Sequence, residues 1–232
     1  MSEHRNVPFL LNASPAKRDS LIDRILWSFA AYFRRKRFAD INRALLEVGS
    51  IIDVGGTPSI WISVGRRGVT LLNIDEQQTP PGFIGIKGDG RKTDFPDHSF
   101  DLAFSNSAIE HVGGWEDQKA FAQELRRVGK RIYCQTPARG FFFEPHYLTP
   151  FVAWFPWLLR RYRFVRYFTY YGLKWKPSRE QVNDFQSHVR LVTYSEMLQL
   201  FPGCKIRRER FFGMTKAYIA TRWLDETASI FQ

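Results

Sequence analysis

The sequence predicts an α/β fold, a largely parallel sheet covered by helices on both faces. Short apolar runs of strand length alternate with segments of helical period, the pattern of strands buried on both sides. The first run, built on Ile51, Ile52 and Val54, stops at Gly55-Gly56, a tight turn at a strand end where a ligand can approach the backbone. Two closing runs, Lys205–Phe212 and Ala217–Trp223, read as strands joined by a turn around Gly213.

Taken in order, Ser14-Pro15 signals a helix start, and Leu21, Ile22, Ile25, Leu26, Phe29 and Phe33 then recur at helical spacing. The chain therefore opens on an amphipathic helix, followed by a second around Phe38–Val48. After the first strand come a short helical piece around Ile60–Val64 and strands at Val69–Ile74, Phe83–Ile86 and Leu102–Ser105. Helix Asp117–Val128 and strand Arg131–Gln135 follow. An aromatic stretch from about Pro137 to Asn183 interrupts the alternation, in which Pro150 and Pro156 bend or segment any helix. Thr193-Tyr-Ser-Glu196 is a capping box that opens a helix ending near Phe201-Pro202-Gly203. This order implies a helical cap over residues 1–48 and one α/β domain over 49–232, with 137–190 inserted as a lid or contact segment.

Composition bounds the function. A chain of 232 residues with 44% hydrophobic content suits one domain with an elaboration. It has no apolar run of about 18 residues, which argues against a signal peptide or an ordinary spanning helix and for a cytoplasmic protein. Cys134 and Cys204 form no CxxC pair and no histidines cluster at ligand spacing, so neither a disulfide framework nor a metal site is predicted. The net charge of +11 calls for an anionic partner. The charge is placed in two clusters outside the strands, Arg34–Arg37 and Arg160, Arg161, Arg163 and Arg166.

The acids around the glycine turn point to a ligand. Asp53 precedes Gly55 and Gly56, where an acid suits an ammonium group and would repel a pyrophosphate. Asp75, 20 residues after Gly55, is placed to accept both hydroxyls of a ribose. That spacing is shared with nicotinamide enzymes. Asp89, between Gly88 and Gly90, sets a short acid where it can accept from an adenine amino group. The run Phe95-Pro-Asp-His-Ser-Phe-Asp101-Leu-Ala-Phe-Ser105-Asn-Ser-Ala-Ile-Glu110-His111-Val then brings a turn, a strand and a helix start together.

On these residues the chain resembles the class I S-adenosylmethionine-dependent methyltransferases, in particular the bacterial group called methyltransferase type 11. The likeness covers Ile51–Thr136 and, more loosely, Glu144–Phe151 and Arg210–Lys216. It implies a Rossmann-like seven-stranded methyltransferase sheet with helices on both faces and an antiparallel final strand. It also implies S-adenosyl-L-methionine as cofactor, with contacts at Asp53, Gly55, Asp75, Asp89 and Ser105; Gly56 and Gly90 complete the cofactor candidates. One departure is plain: Thr57 and Ser59 stand where the family loop has further glycines, and Pro58 stiffens the turn.

Methyl transfer requires alignment and, for a hydroxyl acceptor, a base. His111, beside Glu110 beyond the fourth strand, is one candidate, with the ordering of the following segment as its other reading. Glu144 and His146, among Phe141, Phe142, Phe143 and Tyr147, are the second catalytic pair, with a structural role equally open. No Asn/Asp-Pro-Pro-Tyr motif follows the fourth strand and neither cysteine follows a proline, so methylation of nucleic-acid bases is disfavoured. The favoured activity is O-methylation of a small-molecule, glycan or lipid-linked acceptor. A nicotinamide-dependent oxidoreductase and a non-catalytic binding or membrane-association module are the alternatives. The aromatic and basic stretch reads as a lid, as a contact with an anionic membrane together with Arg34–Arg37, or as a nucleic-acid surface.

Overall fold

The computed structural model describes residues 48–144 and 146–223, with residues 24, 28, 32 and 45 singly. The predicted N-terminal helices and Arg34–Arg37 otherwise lie outside the described residues. Residues 48–141 and 187–223 belong to one compact unit, and residues 142–186 to a second.

The elements run β1 (Ile51–Val54), α1 (Pro58–Ser63), β2 (Val69–Asn73), β3 (Phe83–Lys87), β4 (Phe100–Asn106), α2 (Trp115–Val128) and β5 (Gly129–Pro137). A 3-10 turn, Ile109–His111, lies between β4 and α2. Next come β6 (Phe143–Glu144), β7 (Thr149–Pro150), α3 (Pro156–Leu159), α4 (Tyr162–Phe168), α5 (Tyr170–Trp175) and α6 (Arg179–His188). The chain closes on α7 (Tyr194–Leu200), β8 (Lys205–Phe211) and β9 (Met214–Arg222).

In the first unit seven strands form one sheet in the order β3-β2-β1-β4-β5-β9-β8. Strands β1 to β5 are parallel, and β9 enters antiparallel between β5 and β8. Alternation along β1 sorts its side chains onto two faces. Ile52 and Val54 join a buried cluster with Phe121, Leu125 and Val128 of α2 and Met197 and Leu200 of α7. On the other alternation Asp53 pairs in register with Phe104, whose ring meets Trp61 of α1 at 4.9 Å and stacks on Tyr133 at 5.0 Å. The sheet is thus covered on both faces, as the apolar runs require.

Boundaries shift where tertiary partners intervene. Helix α2 starts at Trp115 rather than Asp117, because the Asp117 carboxylate accepts from the Gly114 N–H at 2.9 Å and closes the helix start from its third position. β5 extends past Arg131–Gln135 at both ends, since Gly129 pairs with Phe100 and Pro137 with Ala217. The final turn tightens to Phe212-Gly213, so β9 begins at Met214 rather than Ala217. The capping box at Thr193 forms as predicted, with Thr193 and Glu196 each accepting from the other's backbone N–H.

The second unit has a small antiparallel pair, β6 with β7, followed by short helices. Proline segments this stretch: Pro150 sits in β7 and Pro156 in the first turn of α3. Thr169 divides α4 from α5; its hydroxyl donates to the Val165 carbonyl at 2.6 Å and accepts from the Gly172 N–H at 3.0 Å. No helix among the described residues is long and apolar enough to cross a membrane.

Candidate active site

At the carboxyl end of β1 the neighbours diverge, β2 on one side and β4 on the other, which is the switch point where open α/β sheets bind ligands. The turn there is Gly55-Gly56. Gly55 has φ of +80°, and its N–H donates to the Leu72 carbonyl at 2.8 Å. A Cβ at Gly55 would meet Ala108 Cβ at 2.5 Å. Gly56 is buried, and a Cβ there would fall 1.8 Å from Asp53 Oδ2, so the Asp53 carboxylate occupies the space a side chain would take. The Asn73 amide donates to the Gly56 carbonyl at 3.1 Å and steadies the turn.

Asp53 is fully buried. Trp61 Nε1–H donates to its Oδ2 at 2.7 Å, while Oδ1 has no hydrogen-bond partner among the described residues. Burial raises its pKa to about 7 against the opposing effect of the Trp61 bond. A buried carboxylate with an unsatisfied oxygen beneath a glycine turn fits a cationic ligand group above it. At the next two positions where the family loop has glycines, the Thr57 and Ser59 hydroxyls bond to each other at 2.9 Å. Pro58 opens α1, as its fixed φ favours.

The other cofactor candidates lie at neighbouring strand ends. Asp75 stands two residues beyond β2 and is exposed. Asp89 follows β3 and is held by Arg91, whose Nη2 lies 2.6 Å from Oδ2; Arg91 also reaches Asp117 Oδ1 at 2.6 Å. The hydrogen bonds from Arg91 hold the Asp89 carboxyl below its usual range. Gly90 is required by packing, since a Cβ would meet Val54 Cγ1 at 2.5 Å. The buried Ser105 hydroxyl donates to the Val54 carbonyl at 3.0 Å, which ties β4 to the end of β1.

Beyond β4, Ser107 takes φ of +56° and turns the chain into Ile109–His111. Glu110 is buried, its Oε2 accepting from Thr136 Oγ1 at 2.9 Å and its carbonyl from the Arg190 N–H at 2.8 Å. His111 is half-buried beside it. In the second unit the Glu144 carboxylate meets His146 Nδ1 at 2.6 Å and accepts the His146 backbone N–H at 3.1 Å. Both side chains are buried. The His146 ring lies against Phe185 at 6.0 Å, and Phe185 also contacts Tyr147 and Tyr171. Burial raises the Tyr147 phenol well above its usual pKa. Neither cysteine is a candidate nucleophile: burial raises both the Cys134 and the Cys204 thiol.

Three partners escaped sequence reasoning. Trp61 carries no polar signal in an apolar helical stretch, yet it is the donor to Asp53. Arg190 belongs to no motif, and two of its partners lie far back in the chain: its backbone N–H holds the Glu110 carbonyl and its guanidinium holds Gln118. Arg91 had a local signal, two residues from Asp89, that an isolated reading of the acid passed over.

A family model described as a methyltransferase domain matches residues 67–131, from just before β2 into β5. That match bears out the resemblance to class I methyltransferases, and the seven-stranded sheet with antiparallel β9 is the one the resemblance implies. No curated protein matches the chain. Similar solved structures include a SAM-dependent methyltransferase from Methanosarcina mazei, 14% identical over 75% of this chain and 92% of its own, TM-score 0.47. Another from Mesorhizobium loti is 17% identical over 78% and 94%, TM-score 0.47. A third, PigF with SAH, is 14% identical over 89% and 67%, TM-score 0.48.

Proposed function

We propose that this chain is an S-adenosylmethionine-dependent methyltransferase acting on a hydroxyl or carboxyl of a small-molecule, glycan or lipid-linked acceptor. The observation that supports it best is the Gly55-Gly56 turn over Asp53 at the switch point of a sheet whose strands β2 to β4 lie in the stretch that matches the methyltransferase-domain family. When bound, the cofactor supplies an electrophilic methyl group on sulfur. The protein's share is alignment and proton acceptance.

In this reading Asp53 answers the ammonium end of the cofactor, and Asp75 accepts from the ribose hydroxyls. Asp89 accepts from the adenine amino group with the oxygen lone pairs that Arg91 leaves. Ser105 acts by position, because its hydroxyl proton is committed to the Val54 carbonyl. For a hydroxyl acceptor, His111, in the same unit as the glycine turn, is the favoured base. The Glu144–His146 pair, in which the carboxylate meets Nδ1 at 2.6 Å, is the second candidate.

Calorimetry with S-adenosylhomocysteine and with NAD tests the cofactor: binding of the first and not the second is expected, and the reverse would replace methyl transfer with the oxidoreductase reading. Asp75→Ala should weaken S-adenosylhomocysteine by about 1–3 kcal/mol. With labelled S-adenosylmethionine and a metabolite extract as acceptor source, His111→Asn should lower turnover by about 10²–10⁴ with cofactor affinity kept. Unchanged turnover in both His146→Asn and His111→Asn would mean that the acceptor needs no protein base.

A further inference from the structure

Residues 142–186 carry a surface that methyl transfer does not require. From His146 to Ser178 the chain has no acidic residue, while Arg160, Arg161, Arg163, Arg166, Lys174 and Lys176 supply six cations. The unit has its own core, with Val165, Thr169, Val182 and Phe185 buried. Several of its large apolar side chains nevertheless stay outside: Trp157 is 56% exposed, Tyr167 55%, Leu173 58% and Phe168 69%, and Phe151 and Trp154 are about half exposed. Large exposed apolar groups concentrated in one segment mark an interaction site.

The cations stand among these rings. Arg161 lies over Trp157 at 5.7 Å, and Arg163 and Tyr167, one turn apart on α4, are both exposed. Arg166 is tied to the chain, donating to the Lys176 and Pro177 carbonyls at 2.6 and 2.7 Å. Arg160, Arg161 and Arg163 form no ion pair among the described residues and are exposed.

We propose that this unit docks on an anionic phospholipid surface, with its rings at headgroup depth and its arginines on the lipid phosphates. Charge complementarity selects the occupant: an acid-free segment with six cations repels basic partners and attracts a surface of phosphates. The apolar set favours a bilayer over a nucleic acid, because stacking on bases uses rings but gives no place to an aliphatic such as Leu173. Helices of four to seven residues on this stretch, α3 to α5, suit lying in the interface rather than crossing it. The docking does not depend on methyl transfer.

Co-sedimentation of the full chain with vesicles tests this. Vesicles of phosphatidylcholine mixed with phosphatidylglycerol should bind it at low salt and release it as salt rises; pure phosphatidylcholine should not retain it. The triple variant R160Q/R161Q/R163Q should lower the partition by about two orders of magnitude. The pair W157S/F168S should lower it at every salt, with the melting curve of each variant showing that the fold is kept. No binding to the anionic vesicles at low salt overturns the proposal, as does binding by either variant equal to the parent's. Retention on a single-stranded oligonucleotide but not on vesicles overturns it in favour of a nucleic-acid surface.

Discussion

Asp53 is the residue on which the candidate site turns. Its carboxylate is buried under Gly56, with one oxygen on Trp61 and the other without a partner among the described residues. Its folded pKa, about 7, lies above the ordinary carboxylate value of 3.8, so the folded chain holds a proton that the unfolded chain has released. Stability contributed by the neutral form is therefore full below pH 3.8 and is lost as pH rises to about 7. Asp53→Asn should remove that decline and stabilise the protein at pH 8 by about 1–4 kcal/mol in urea unfolding, while weakening S-adenosylhomocysteine. A cationic group bound at Asp53 favours the carboxylate, so binding near pH 7 should release a fraction of a proton. Titrations in buffers of different ionisation enthalpy measure this; a zero proton count at pH 7 would leave the ammonium without Asp53. Gly55 meets a different constraint. Gly55→Ala places a methyl at φ of +80° and against Ala108, and a loss of about 1–3 kcal/mol in unfolding free energy is expected.

Among the elements, α2 and α7 are joined through a residue that belongs to neither. Arg190 donates from Nη1 to Gln118 of α2 at 2.5 Å, bonds to Glu196 of α7 and lies over the Trp115 ring at 4.9 Å. Its N–H also holds the Glu110 carbonyl, so the same residue fixes the turn that carries His111. Arg190→Ala leaves Gln118 and Glu196 short of a donor and should cost about 1–3 kcal/mol. If Arg190 also positions the Ile109–His111 turn, the variant's turnover should fall more than its cofactor affinity does. Arg190→Lys, which restores a side-chain donor and the charge, should recover part of the turnover.

Across the molecule, two carboxylates, Asp53 and Asp101, shape the response to pH in opposite directions. Asp101 accepts from the Ser50 N–H and from Lys130, and these bonds lower its pKa to about 2. Its contribution is present above pH 3.8 and is lost as pH falls to about 2, the opposite sign to Asp53. The contribution of these two groups rises as pH climbs from about 2 to 3.8 and declines from there to about 7. Asp101→Asn should cost about 1 kcal/mol at pH 7, reduced by solvent screening, and should flatten the acid limb alone.

Sequence by itself determined the sheet, its two covered faces and the glycine turn, because those depend on local period and on backbone chemistry that neighbouring residues carry. Ile51, Ile52 and Val54 ending at Gly55-Gly56 need no distant partner to be read as a strand and turn. Tertiary structure alone decided what each polar group is doing. It put Trp61 on Asp53, eight residues away, Arg91 on Asp89 and Asp117, and the Ser105 hydroxyl on Val54, 51 residues back. It also set the Glu144 carboxylate on His146 Nδ1, a contact that the two-residue spacing allows but does not fix. The physical reason is range: hydrophobic period is summed over a window of the chain, whereas a hydrogen bond or a desolvated carboxylate depends on which atoms arrive within about 3 Å, and folding brings those from anywhere in the sequence.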